Sequence, residues 1–328
     1  MRFIYYTNCY YKIVHRTFYN LQWLMPMRDF FYLLFRLLNI RRRYKLVLFS
    51  ACLNVNLIQA QLPETDLWLA ELNTKEVGKI IKAINITNRA GYDNQPSFSK
   101  NGKLIYFTSI HEDKQADIYS YNLKNKKTIQ LTKTKESEYS PNESPIKNSM
   151  AVVTVLQDSS QVIQLLDLKT FTVINSTISN FDSVGYYNFL NADTVLYYKL
   201  TSPHTLKFHV ISNGNDGFLC ENPCRTFRTI DRSTFIFGIK DSASTAYYIY
   251  DVRIQKANLY ARIKSVNEDL IWDPAFGLLV SDKATILRFD VAEKQWKILF
   301  DLSSFGIKKI TRFCFDSKSN YLCVVNNL

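Results

Sequence analysis

Between residues 92 and 132 short apolar runs alternate with polar breaks. The polar segment Tyr92-Asp93-Asn94-Gln95-Pro96 runs into Ser97-Phe98-Ser99. The break Lys100-Asn101-Gly102-Lys103 predicts a turn, with Gly102 at the position that most readily takes positive φ. Leu104-Ile105-Tyr106-Phe107 then has the β-branched and aromatic character of a strand. Ala116 to Leu123 predicts a third strand, ended by Lys124-Asn125-Lys126, and Thr128 to Thr132 predicts a fourth.

The same order recurs along the chain. Turns open near residues 99, 144, 190, 231, 273 and 316, in steps of about 41 to 46. Each is followed by a β-prone run: Met150 to Val155, Thr194 to Lys199, Thr234 to Ile239, Gly277 to Ser281 and Tyr321 to Val325. Third strands are expected at Val162 to Leu168, Leu206 to Ser212, Ala246 to Val252 and Thr285 to Val291. Further fourth strands are expected at Thr172 to Ser176 and Lys297 to Phe300. Four strands in about 43 residues make one propeller blade. The last copy shows two strands before Leu328, and the missing pair is expected at Asp66 to Leu72 and Ile80 to Thr87. The fold expected is all-β: a six-bladed β-propeller of four-stranded antiparallel blades, closed by N-terminal strands joining the last blade. Such closure removes an open sheet edge.

Pro96-Ser97-Phe98-Ser99-Lys100-Asn101-Gly102-Lys103-Leu104-Ile105-Tyr106-Phe107-Thr108-Ser109 resembles the repeat of TolB-type, WD40-like propellers, P-x-F-S-P-D-G-K-x-I-x-F-x-S. Asp117-Ile118-Tyr119 and Gln130-Leu131-Thr132 match that repeat's later D-I-Y and Q-L-T elements, while Lys100-Asn101 replaces its Pro-Asp. The match is strong over 92–132 and moderate over 139–168, and beyond 180 only the spacing persists. The resemblance implies a secreted or periplasmic binding propeller; it implies no shared ligand.

Charge narrows the partners. The net charge is +12, but nine of the 41 basic residues and one of the 29 acidic ones lie in residues 1–60. The remaining chain, with 32 basic and 28 acidic residues, has no compositional reason to bind nucleic acid. Arg41-Arg42-Arg43-Tyr44-Lys45, then the apolar Leu46 to Ile58, then Gln59-Ala60-Gln61, follows the order of a secretory signal. Residues 41–60 are therefore read as a signal peptide cut after Ala60, and 61–328 as the propeller. Processing at Cys52 as a lipoprotein, or retention of the apolar run as a membrane anchor, are the other readings of this segment. Residues 1–40 are read as an upstream extension outside the translated protein, or as a disordered or membrane-associated arm. The expected location is periplasmic or secreted, with membrane contact only through an uncleaved leader.

No nucleophile elbow, phosphate loop or H-E-x-x-H motif occurs. His204 and His209, five positions apart, fall on opposite faces of a strand and do not read as a metal pair. Cys220 and Cys224 are candidates for a small disulfide loop around Pro223, and Cys314 and Cys323 flank a predicted hairpin as thiols. Propellers bind ligands where loops enter the innermost strands. The residues there are Asp93, Asn94, Glu138, Tyr139, Arg225, Glu268, Asp269 and Arg312, whose mixed signs suit a polar partner or a channel cation. No cofactor is expected beyond such a cation. The reading is a monomeric, non-enzymatic binding or scaffold propeller for a protein, peptide or glycan of the cell envelope. The alternative is a propeller hydrolase or lyase of lactonase or cyclotransferase type, which needs a metal or acidic cluster in the channel.

Overall fold

The computed structural model describes residues 63–174, 178, 182–264 and 268–327. Expectations for residues 1–60, including the signal and its cut after Ala60, fall outside these residues, as does the end of the strand expected at Thr172 to Ser176. The compact unit spans Leu62–Leu328. Apart from one short 3-10 turn at Ser303–Phe305, its regular elements are strands. Among the described residues no helix is long and apolar enough to cross a membrane.

The chain opens with β1 (Thr65–Leu72) and β2 (Ile80–Asn85). Next come β3 (Tyr92–Phe98), β4 (Leu104–Ile110), β5 (Ala116–Asn122) and β6 (Lys127–Gln130), an antiparallel meander. Three strands follow: β7 (Ser137–Glu143), β8 (Ser149–Val155) and β9 (Gln161–Asp167), extended by a single bridge between Leu166 and Val173. The next meander is β10 (Val184–Phe189), β11 (Thr194–Lys199), β12 (Thr205–Val210) and β13 (Asn215–Glu221). It is followed by β14 (Pro223–Thr229), β15 (Thr234–Lys240), β16 (Ser244–Asp251) and β17 (Lys256–Lys264). Then come β18 (Leu270–Asp273), β19 (Gly277–Asp282), β20 (Thr285–Asp290) and β21 (Gln295–Asp301). The chain ends with β22 (Ile310–Phe315) and β23 (Tyr321–Asn327).

β23 does not lie at an edge. It pairs antiparallel with β1 from Thr65–Asn327 to Glu71–Tyr321, so β22-β23-β1-β2 is a further four-strand run assembled from both ends of the unit. One parallel contact, Thr65 to Tyr92, joins this run to β3. The expected four-stranded antiparallel unit is therefore present, and the arrangement is an all-β propeller.

Local chemistry explains the repeat. Each turn after an innermost strand is held by a Ser, Asn or Asp side chain that accepts backbone N–H groups. Ser99 Oγ accepts from Lys103 and Leu104, Ser144 Oγ from Ile146, and Asn191 Oδ1 from Asp193 and Thr194. Asp231, Asp273 and Asp316 do the same. Gly102 sits at φ +68°, the positive value its place in the turn requires. The link between third and fourth strands also repeats: Leu67 N–H donates to Thr87 Oγ1 (3.0 Å), as Ile118 N–H does to Thr132 Oγ1 (2.8 Å). The D-L-W…N-I-T segment at the start of the unit is thus built like the D-I-Y…Q-L-T segment of the next run.

Strand alternation feeds two cores from every sheet. On β4, Ile105 and Phe107 pack with Leu67, Leu69 and Val325, while Tyr106 on the opposite face packs with Met150 and Val152. Ala151 and Val153 pass the pattern to Val195 and Tyr197, and Leu196 and Tyr198 pass it to Phe235 and Phe237. Ile236 meets Leu278 and Val280. Leu279 then meets Leu322, Val324 and Ala70, so the last cluster returns to β1. Burial of apolar area across these seams, at about 25 cal/mol per Å2, is what holds neighbouring sheets together.

Candidate functional site

The first strands of successive runs, β3, β7, β10, β14, β18 and β22, surround a cavity of about 510 Å3. This volume lies within the range of ligand-binding clefts. Several of these strands carry a register shift ahead of the residues that face the cavity: Val184/Tyr186 in β10, Pro223/Phe227 in β14 and Ile310/Arg312 in β22. A bulge turns the following side chain away from the strict alternation of a strand. Tyr186, Arg228 and Arg312, which follow these shifts, all line the cavity.

Of the eight candidate positions, Arg225, Asp269 and Arg312 line the cavity. Asp269 is nearly fully buried. Its Oδ2 accepts the Phe313 N–H at 3.0 Å, whereas Oδ1 has no hydrogen-bond partner among the described residues. The Arg312 Nη1 stands 3.9 Å from that Oδ1, and the Arg312 guanidinium carbon lies 4.9 Å from the centre of the Tyr186 ring. Burial raises the Asp269 carboxyl above its ordinary range, opposed by the charges of Arg312 and Arg228. Burial works against the charge on Arg312 as well, but Tyr186 and Asp269 hold its pKa above the usual value. Arg228 moves the other way. Burial lowers its pKa, opposed by the charge of Asp269 and aided by that of Arg312, and among the described residues its hydrogen bond runs to the Phe227 carbonyl (3.1 Å). Arg225 is engaged by Glu268 at 3.1 Å, and Glu268 also takes Lys240 at 2.8 Å.

The other candidates serve the scaffold. Asp93 is fully buried and held by Arg89 Nη2 and by the Ser109 hydroxyl, both at 2.6 Å. The Asn94 side chain accepts the Gln95 N–H (2.8 Å). Glu138 accepts the hydroxyls of Thr132 (3.1 Å) and Thr134, and burial pushes its pKa up to about 7. Tyr139 packs against the core between β8 and β11. Sequence reading missed Tyr186, Arg228 and Trp272. Their only signal was a charged or large polar-edged residue inside an otherwise β-prone run.

The four cysteines of the described residues are free thiols. Cys220 and Cys224 do not sit on a loop as expected: Cys220 is near the end of β13, Cys224 is inside β14, and Asn222 alone separates the two strands. Cys314 and Cys323 are directly opposed on β22 and β23. Among the described residues no group of three or more His, Cys, Asp or Glu side chains could hold a metal ion. His111 stacks on Tyr119, His204 lies against Tyr198, and His209 faces Asp216; none lines the cavity.

No protein-family model matches the sequence. No curated protein matches it either. Solved structures do. A protein assigned as TolB from Agrobacterium tumefaciens superposes with a TM-score of 0.57 at 11% identity, covering 81% of this chain and 99% of that one. A nidogen/laminin complex gives a TM-score of 0.52 at 10% identity, over 80% of this chain and 98% of that one. An oligogalacturonate lyase in complex with manganese gives 0.51 at 10% identity, over 75% and 80%. At these identities the likeness is one of fold alone, and that fold is the β-propeller.

Proposed function

We infer that residues 61–328 form an exported six-bladed ring that binds a protein, peptide or glycan of the cell envelope at its central cavity. The count of six rests on the turn spacing and on the cycle of inter-sheet cores, in which the run β22-β23-β1-β2 supplies the sector that joins the two ends. Export rests on the order of charges and apolar residues in 41–60. The observation that carries the binding role is the cavity itself: three guanidiniums (Arg225, Arg228 and Arg312), the incompletely satisfied carboxylate of Asp269 and the aromatic rings of Tyr186 and Trp272 around one space. Recognition chemistry is there without a nucleophile–base pair.

A photo-cross-linking side chain at position 225, beside the cavity, tests this against the same group at position 298 on the outer strand β21. A partner trapped from envelope material at 225 and not at 298 is the expected result; trapping only at 298 overturns the reading. Mass spectrometry of the native N-terminus is expected to begin at Gln61.

The lyase among the similar structures supplies the second reading. A manganese ion is bound by oxygen and imidazole ligands. The cavity instead offers arginines, and the described residues hold no ligand cluster, so they do not fit that ion. A tightly held stoichiometric metal in the purified protein, with turnover of a polysaccharide, would favour the lyase.

A further inference from the structure

We propose that Arg228 and Arg312 form a receptor for a single carboxylate, and that the ligand is the free C-terminus of a peptide entering the cavity. The proposal rests on the binding role above and names the ligand class. Arg312 is largely buried, with 17% of its side chain exposed, and its nearest carboxylate atom is 3.9 Å away, too far for a hydrogen bond. Arg228 makes no ion pair among the described residues and donates only to a neighbouring carbonyl. Both guanidiniums keep donors for an incoming group, and each raises the cost of the other's charge. With the third cavity arginine, Arg225, held by Glu268, Asp269 stands against Arg228 and Arg312 at this end of the cavity, and one of its oxygens is committed to the Phe313 N–H. An added carboxylate would accept bidentate hydrogen bonds from a planar guanidinium and offset the excess charge.

The far end of the cavity chooses among carboxylate ligands. Asp273 and Asp316 line it at the turn ends of β18 and β22, about 13 Å along the strand from Asp269. Both are committed to turn N–H groups and keep that end acidic. A polyuronate or a nucleic acid, charged at every unit, would meet repulsion there. A peptide terminus presents one negative group and an apolar side chain, which suits the Tyr186 and Trp272 rings.

Saturation-transfer NMR on the full protein, with a pooled library of N-acetylated tripeptides carrying free C-termini, tests this beside the same library amidated. The expected result is binding of the free acids at least about tenfold tighter than of the amides, with the difference abolished by Arg228→Gln and partly restored by Arg228→Lys. The acid-versus-amide comparison needs no variant and so stands whatever the folding of Arg228→Gln. Equal binding of acids and amides, or no binding of either, overturns the proposal. Tighter binding of trigalacturonate than of the acids also overturns it, in favour of a uronate glycan. A cross-link from position 225 that persists through any of these failures leaves the binding role standing and removes only the peptide terminus.

Discussion

Among the described residues two arginines meet a buried aspartate, and the two encounters are built to opposite ends. At the junction between β2 and β3, Arg89 Nη2 lies 2.6 Å from Asp93 and donates to Ser109 Oγ (2.5 Å) and to the Ile110 carbonyl (3.2 Å). That guanidinium is spent on fastening the first run to its neighbour. At the cavity, Arg312 stops 3.9 Å from Asp269, and Arg228 makes no ion pair among the described residues. Each aspartate keeps one buried oxygen without a hydrogen bond among the described residues, Asp93 Oδ2 and Asp269 Oδ1, so the two sites differ in how the arginine is engaged. The same chemical pair is closed where the fold needs a rivet and open where a ligand could complete it. Incomplete satisfaction of buried charge destabilises a fold, and such sites concentrate where proteins bind or react.

The sharpest way to break the comparison is to remove the rivet. Arg89→Ala leaves Asp93 buried without its cation, and a loss of about 3–5 kcal/mol in urea unfolding is expected, with carboxylate binding intact in the fraction that stays folded. A loss under about 1 kcal/mol would show that the two sites are alike. Next comes pH. Burial raises the carboxyls of Glu138, Asp93 and Asp269 in the folded state. The folded protein therefore holds protons that the unfolded chain releases, and stability is lost as pH rises. For Glu138 the window runs from its ordinary 4.5 to about 7, and the loss is at most about 3 kcal/mol. Glu138→Gln is expected to flatten that part of the stability profile measured by denaturation between pH 4 and 8. The smallest effect is expected at Arg228→Met. Replacing a partly buried cation that makes no ion pair among the described residues by an apolar chain of similar length should raise stability by about 1 kcal/mol, seen as a higher melting temperature, while abolishing carboxylate recognition.

The sequence showed the frame better than the site. Turns were legible because Ser99, Asn191, Asp231, Asp273 and Asp316 act locally, each holding its own turn through its side chain. The seam between β1 and β23 was legible because Asp66 to Thr87 repeats the third-and-fourth-strand pattern. The outer strands β13 and β17 were not foreseen. Asn215-Asp216-Gly217 and Lys256-Ala257-Asn258 are polar and exposed, so they carry no hydrophobic period. Arg225, Asp269 and Arg312 were reached, but Tyr186, Arg228 and Trp272 escaped for a different reason. Reading the mouth from strand starts selected Asp93 and Glu138, which the fold buries among hydroxyls and Arg89. The bulges ahead of Tyr186 and Arg228 are register shifts between strands, and one chain's local pattern does not encode a register.

The pairing of Thr65 with Asn327 has a kinetic consequence. Contacts between residues so distant in sequence form late, because a long segment must first be confined to bring them together. Until β23 has emerged and found its groove between β22 and β1, both flanking edges stand bare, and the nascent chain offers ready templates to any other polypeptide nearby. A protein latched this way depends on being held apart from its neighbours during its final seconds of maturation, whichever compartment it matures in.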